Sequence, residues 1–434
     1  VRYVSTRGAA PAVSLSAAVE RGLAPDGGLY VPESFPSSAA MEMDGDGPLA
    51  AVAERLLAPF FAGDALADAL GDICREAFTF PVPLRELGEG TAVLELFHGP
   101  TAAFKDVGAR FLAAVTSRIP GDGRPLTILV ATSGDTGGAV AAAFHGRPGV
   151  EVAILYPAGM VSPRQEKQLT AWGGNVRAFA VRGAFDDCQR LVKRAMADPA
   201  LRAARRLSSA NSINVGRLLP QMAYYAWAAR EYDRRHDVEP GFIVPSGNLG
   251  NAAAALWARR AGVPLREVVL ATNANPGIPE FAAGAPWRVH PTVATLATAM
   301  DVGDPSNLER ILHLFGGETA ARESLRAVRV DDDEIRRVIR EGPARWGTVW
   351  DPHTATAVAA RERLGGDGWI VVATAHPAKF EAVVEPLIGR PVPVPPELQR
   401  LLDHPSHAVS IDPTLDAFRD ALGAPEGART PGRA

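Results

Sequence analysis

The stretch HGPTAAFKD, His98 to Asp106, sets one lysine behind Phe104 and two alanines, ahead of a Gly/Ala/Phe-containing helical segment. A lysine amine is nucleophilic only once it has lost its proton, and burial among apolar neighbours or beside other cations promotes that loss. Lys105 is therefore a candidate for attack on a carbonyl, with a solvated surface lysine as the plainer alternative. Three loops could hold what such an amine works on. In PSGNLGN (245–251), Gly247 and Gly250 permit positive φ and close backbone approach. Its N–H groups then open a helix, where the dipole adds partial positive charge, so the loop reads as a phosphate cradle or as a tight strand–helix turn. ATSGDTGG (131–138) repeats the pattern with three hydroxyls, Thr132, Ser133 and Thr136. These suit a carboxylate or phosphate, while Ser133, Asp135 or Thr136 could equally serve as an N-cap. ANSINVGR (210–217) adds Asn211, Ser212, Asn214 and Arg217, either an anion fork or a capped helix start.

The 245–251 loop carries neither the nucleotide P-loop pattern nor the dinucleotide G-x-G-x-x-G turn. An apolar lysine with two anion cradles points instead to pyridoxal phosphate, whose aldehyde needs an amine and whose phosphate needs a cradle. Composition narrows the rivals. A net charge of -4 gives no overall attraction to nucleic acid or an anionic membrane. The basic run RLVKRAMADPALRAARR (190–206) reads as the solvated face of a helix. Cys74 and Cys188 have no CxxC or histidine partner at ligand spacing, so neither a metal nor a disulfide framework is expected. His353 likewise lacks a ligand-spaced partner, and Cys188, Trp172 and Trp346 read as packing residues. His98 and His376 flank the lysine motif and the TAHP loop, as chemistry or as loop-orienting hydrogen bonds. With no signal-like segment and no apolar run of ~20 residues, the expected compartment is the cytoplasm.

A chain of 434 residues needs more than one core. Three times a short apolar run meets a Gly/Ser/Thr/Asn loop and then a helix: TILVAT (127–132), GFIVP (241–245) and GWIVVA (368–373). Further strand candidates are VAILYP (152–157), VRAFAV (176–181) and VVLAT (268–272), alternating with helical segments. This grammar predicts an α/β protein whose mainly parallel sheets are flanked by helices, with ligands beyond the strands' C-terminal ends. Leu49, Val52, Leu56, Leu57, Leu66, Leu70 and Ile73 recur at helical spacing, so a largely helical N-terminal module is expected to about residue 85. SSAAMEMDGDGP reads as a loop, LYV (29–31) as a strand, GRPVPVPPEL (389–398) as a surface connector, and the last ten residues as frayed.

At this point the chain resembles the threonine synthase family, pyridoxal-phosphate enzymes of the tryptophan-synthase β fold (fold type II), in its longer class. YVSTRG, GLAPDGGLYVPE, LFHGPTAAFKD, ATSGDTGG, YPAGMVSPRQEKQ, SANSINVGR, VPSGNLGN, AMDVGDPSN, DPHTATAV and TAHPAKF carry the resemblance along nearly the whole chain. It implies two open twisted sheets, in a large cofactor-binding domain (86–125 and 238–388) and a small domain inserted in it (126–237). An N-terminal module (1–85) and a C-terminal extension (389–434) complete the layout. The resemblance also implies that Lys105 forms the Schiff base and later moves protons, and that Gly247, Asn248, Leu249, Gly250 and Asn251 hold the cofactor phosphate. Asp135 would stand near the cofactor's 3-hydroxyl, and Thr374 would face the pyridine nitrogen. Thr132, Ser133, Thr136, Asn211, Ser212 and Arg217 would bind the substrate's phosphate and carboxylate.

The implied reaction turns O-phospho-L-homoserine and water into L-threonine and phosphate, by γ-elimination and β-addition, in a monomer or homodimer. The family usually has a bulkier residue than Ala102, frequently Phe at Leu249 and Asp at Asn251, and usually Asp at Pro276. These departures spare the lysine and the glycines and bear on substrate identity. The rival readings are a paralogous pyridoxal-phosphate lyase acting on a phosphonate or another γ- or β-substituted amino acid, and a non-catalytic binding protein on the same fold.

Overall fold

The computed structural model describes residues 1–36 and 47–423. Most of the loop expected at SSAAMEMDGDGP and all of the frayed C-terminal end lie outside the described residues. Among the described residues the strands are, in chain order, β1 (Tyr3–Ser5), β2 (Tyr30–Pro32), β3 (Leu84–Gly88), β4 (Thr91–Glu95), β5 (Leu126–Ala131), β6 (Val150–Pro157) and β7 (Val176–Val181). The chain continues with β8 (Arg206–Ser209), β9 (Gly241–Pro245), β10 (Glu267–Thr272), β11 (Arg326–Arg329), β12 (Trp369–Ala373) and β13 (Ala408–Ile411).

They form two open α/β sheets and one small antiparallel pair, β1–β2. The larger sheet runs β11-β10-β9-β12-β4-β3, parallel except for the β3–β4 hairpin at its edge. The smaller runs β13-β7-β6-β5-β8 and is parallel throughout. Helices cover both faces, so β9 (GFIVP), β12 (WIVVA) and β5 (LTILVA) bury every residue, and all but Thr127 and the glycine and proline ends are apolar side chains. All six strands expected from such runs are present, with LYV falling on β2.

The helical spacing expected over 49–78 resolves into the helices Leu49–Phe61 and Leu70–Ala77. Between them Gly63 turns the chain in a left-handed conformation, at φ 78°. This module packs on the lysine-bearing helix Lys105–Thr116 through an edge-to-face contact of Phe61 with Phe111. Cys188 is buried in the core of the smaller sheet beside Phe179 and Leu191. The segment after residue 389 does more than connect: β13 pairs with β7, and Phe418 of the helix Leu415–Gly423 meets Phe179 edge-on at 5.3 Å. Among the described residues no helix is long and apolar enough to cross a membrane, and no group of three or more His, Cys, Asp or Glu could hold a metal ion.

Candidate active site

Lys105 is the first residue of its helix, and the turn before it is fixed from both sides. Buried Asp106 accepts from Thr101 N at 2.9 Å and Thr101 Oγ1 at 2.6 Å, folding the loop back on itself. A Cβ on Gly99 would come within 2.5 Å of the Asp106 carboxylate, so no other residue fits there without a shift. Ala102 sits at φ 54°, an uncommon conformation for a residue with a Cβ. From the other side, Phe104 N donates to Thr374 O and His376 N to Ala102 O. The lysine loop is thereby stitched to the loop that follows β12, which carries Thr374. Burial lowers the Lys105 pKa; Asp135 and Asp351 oppose that shift while Lys379 and Arg217 reinforce it. The positive end of the helix dipole acts in the same direction as burial.

The second loop leaves β5. Thr132 Oγ1 accepts from Gly134 N at 2.9 Å and Gly137 N at 3.0 Å, so the turn is tied by Thr132 rather than by Ser133, Asp135 or Thr136. Ser133 and Thr136 are left half-buried on the same turn. Asp135, nearly fully buried, opens the helix Asp135–Phe144. Its Oδ1 accepts from Lys379 Nζ at 2.8 Å and Gln165 Nε2 at 2.9 Å, and its Oδ2 lies 3.9 Å from Lys105 Nζ. Burial by itself would raise the Asp135 pKa, but Lys379, Lys105 and His353 together hold it well below the usual carboxylate range.

The third loop follows β9. A Cβ on Gly247 would come within 2.5 Å of Met300 Cα, and Leu249 starts the helix Gly250–Arg260 from a left-handed φ of 62°. Asn248 braces the loop: its Nδ2 donates to Ser212 Oγ at 2.7 Å, its Oδ1 accepts from Ser306 N at 2.7 Å, and its carbonyl accepts from Asn307 Nδ2 at 3.0 Å. Arg310, fully buried, donates to Ser212 O, Ile213 O and Tyr30 O, which ties the cradle to the N-terminal module. Asn251 Oδ1 accepts from the hydroxyls of Tyr224 and Tyr225, while its Nδ2 is buried without a partner in the protein.

The 210–217 cluster packs between the smaller sheet and the cradle. Asn211 is clamped to Ala131, donating to its carbonyl at 2.7 Å. Ser212 binds Asn248 and Asn307, and Asn214 caps the helix Val215–Leu218 through Gly216 N. Arg217, 3% exposed, donates to the Ala210 and Lys105 carbonyls, and burial lowers its pKa to about 10. These side chains join the smaller sheet to the cradle and back up Lys105, and Arg217 Nε is buried without a partner in the protein. Thr374 is 5% exposed and its N–H donates to Thr354 Oγ1, whose hydroxyl is held by Asp351. Lys379, Gln165, Asn307, Arg310 and Asp351 were not singled out from the sequence. Gln165, Asn307, Asp351 and Lys379 lie within YPAGMVSPRQEKQ, AMDVGDPSN, DPHTATAV and TAHPAKF, whereas Arg310 lies in none of the motifs.

The donor set fits a phosphorylated aldehyde. A depressed lysine amine supplies the link, and the cradle is a glycine-lined helix start with an unsatisfied buried amide beside it. Thr374 supplies a neutral hydroxyl group at the far loop. Fold and site together define a pyridoxal-phosphate-dependent enzyme, and the family model described as pyridoxal-phosphate dependent enzyme matches residues 80–375. Models for the threonine synthase N terminus and C-terminal region match residues 2–78 and 354–422. Threonine synthase from Escherichia coli (strain K12) is 41% identical over 406 residues, covering 92% of this chain and 94% of its own. The crystal structure of threonine synthase from Escherichia coli superposes with a TM-score of 0.89 at 38% identity, covering 97% of this chain and 99% of its own. The structure of PLP-bound threonine synthase from Brucella melitensis does so at 0.90 and 36%, covering 97% and 98%. The chain belongs to the threonine synthase family.

Proposed function

We propose that this enzyme converts O-phospho-L-homoserine and water into L-threonine and phosphate, using the residues gathered around Lys105. The observation that carries the proposal is the meeting of Lys105, Asp135 and Lys379 at the ends of both sheets, with a braced phosphate cradle after β9. Backbone N–H groups of Gly247 to Asn251 would hold the cofactor phosphate, Asp135 would face its 3-hydroxyl, and Thr374 its ring nitrogen. When bound, the cofactor supplies the conjugated system that withdraws electrons from the substrate's carbons. A threonine hydroxyl is neutral, so Thr374 would leave the ring nitrogen without a carboxylate counter-charge.

Lys105 takes and returns the substrate's protons, a task suited to an amine whose pKa is lowered toward the working pH. The half-buried hydroxyls of Ser133 and Thr136, beside the N–H groups opening the helix at Asp135, would bind the substrate's phosphate or carboxylate. Thr132, Asn211, Ser212 and Arg217 would bind the substrate's phosphate and carboxylate with them, while also holding the loops of the site, and Arg217 adds positive charge behind Lys105. The two sheets support a cofactor-binding domain (86–125 and 238–388) with the domain 126–237 inserted in it, working as a monomer or homodimer.

Cofactor-loaded protein given O-phospho-L-homoserine is expected to release phosphate and threonine in equal amounts. Lys105→Ala is expected to lose the visible absorbance of the lysine–cofactor link and to lower turnover by about 10²-fold or more. Wild-type protein that binds the cofactor yet forms no threonine would move the assignment to a paralogous lyase.

A further inference from the structure

The reaction leaves Lys379 without a task. It lies on the short 3-10 helix Pro377–Phe380, wholly buried, with Nζ donating to Thr101 O at 2.7 Å and Asp135 Oδ1 at 2.8 Å. It therefore touches both the lysine loop and the loop after β5 from the loop after β12. Two lysines flank one carboxylate, and the distances divide the labour. Lys379 is within hydrogen-bond reach of Asp135, whereas Lys105 stands off at 3.9 Å. One ammonium balances one carboxylate, and a second in the same buried place would be uncompensated.

We propose that Lys379 is a positioning residue, the standing counter-ion of Asp135 that releases Lys105 from pairing and leaves its amine unprotonated for the cofactor aldehyde. The step needs that lone pair: Lys105 Nζ bonds to the aldehyde carbon, and the aldehyde oxygen leaves as water with two protons from nitrogen. The charged groups that act on Lys105 are Asp135, Lys379, Arg217 and Asp351; Asp135 faces Lys379 and Lys105 with the His353 ring nearby, and Lys379 also acts on buried Asp106, whose pKa burial raises. Of these, Lys379 alone hydrogen-bonds the carboxylate that faces Lys105. The inference rests on Lys105 being the cofactor's lysine, as in the proposed function.

The test follows cofactor attachment. Full-length protein stripped of cofactor is mixed with pyridoxal phosphate, and the rate at which the visible band appears is measured against pH. In the wild type its midpoint reports the Lys105 amine. In Lys379→Met, Asp135 is left to pair with Lys105, so the midpoint is expected to rise by about 1–3 pH units. In Asp135→Asn, Lys379 is left uncompensated and the midpoint is expected to fall. In the double variant it is expected to return toward the wild-type value, and if Lys379→Met does not fold, the other two variants decide. An unmoved midpoint in Lys379→Met, or a double variant that titrates like Asp135→Asn alone, would overturn the proposal. Lys105→Ala run in parallel separates the two claims: if it still forms the band, the proposed function fails first.

Discussion

At the scale of single residues, His376 shows how a side chain can hold a loop of the site in place. Its Nδ1 accepts from Ala378 N at 3.2 Å, capping the turn that presents Lys379, and its ring meets Phe97 edge-on. Burial first, then the neighbouring His98, lowers its pKa from 6.5 to about 4. Between those two values the unfolded chain binds a proton that the folded chain refuses. Its contribution is therefore fully present above the unfolded value and is lost as pH falls toward the folded one, by roughly 3 kcal/mol. His376→Asn, which keeps a capping oxygen, is expected to flatten the fall of the unfolding midpoint across that window, as followed by thermal melts. A melt profile parallel to wild type would show that the histidine is not the source. Lys105 was legible in the sequence because its apolar neighbours and the glycine loops are local patterns. Lys379 was not, because its partners Asp135 and Thr101 come from loops far away in the chain, and nothing adjacent to it announces a buried ion pair.

At the scale of elements, the site is an arrangement of strand ends and helix starts whose tolerance is set by backbone contact. Gly247 lies against Met300 so closely that a Cβ would sit 2.5 Å from its Cα, a backbone atom that cannot swing aside. Gly247→Ala is expected to displace the loop at an overpacking cost of about 1–3 kcal/mol. Most of that should appear as a cofactor dissociation constant raised roughly tenfold to a hundredfold, measured by equilibrium titration of the visible band. An unchanged constant would mean that the cofactor phosphate lies elsewhere. The strands β5, β6, β7, β9, β10 and β12 could be read from sequence because burial on both faces makes them predominantly apolar runs. The edge strands could not: β11 reads RAVR and β8 reads RLSS, short and partly exposed, and only their neighbours make them strands. The polar cluster at 210–217 was legible as residue types beside a helix start, but its contacts with Ala131, Asn248 and Lys105 were not, because those come from loops far away in the chain.

At the scale of the whole molecule, the chain closes on itself twice. Arg310 joins the cradle to Tyr30 in the N-terminal module, and the C-terminal segment returns to cover the edge of the smaller sheet with β13. Phe418, fully buried against Phe179, Cys188 and Leu191, secures that return. Phe418→Ala is expected to destabilise the protein by about 3–5 kcal/mol, seen in chemical denaturation, and a change within experimental scatter would make the segment an appendage. This closure was invisible in the sequence, since β13 and β7 pair across most of the chain. The central claim, that the assembled site eliminates phosphate and adds water to the same substrate, is tested most directly by running the reaction in ¹⁸O-labelled water. Threonine carrying the label in its new hydroxyl, with unlabelled phosphate released in equal amount, is the predicted result. Labelled phosphate with homoserine, or a keto acid with ammonia, would contradict it.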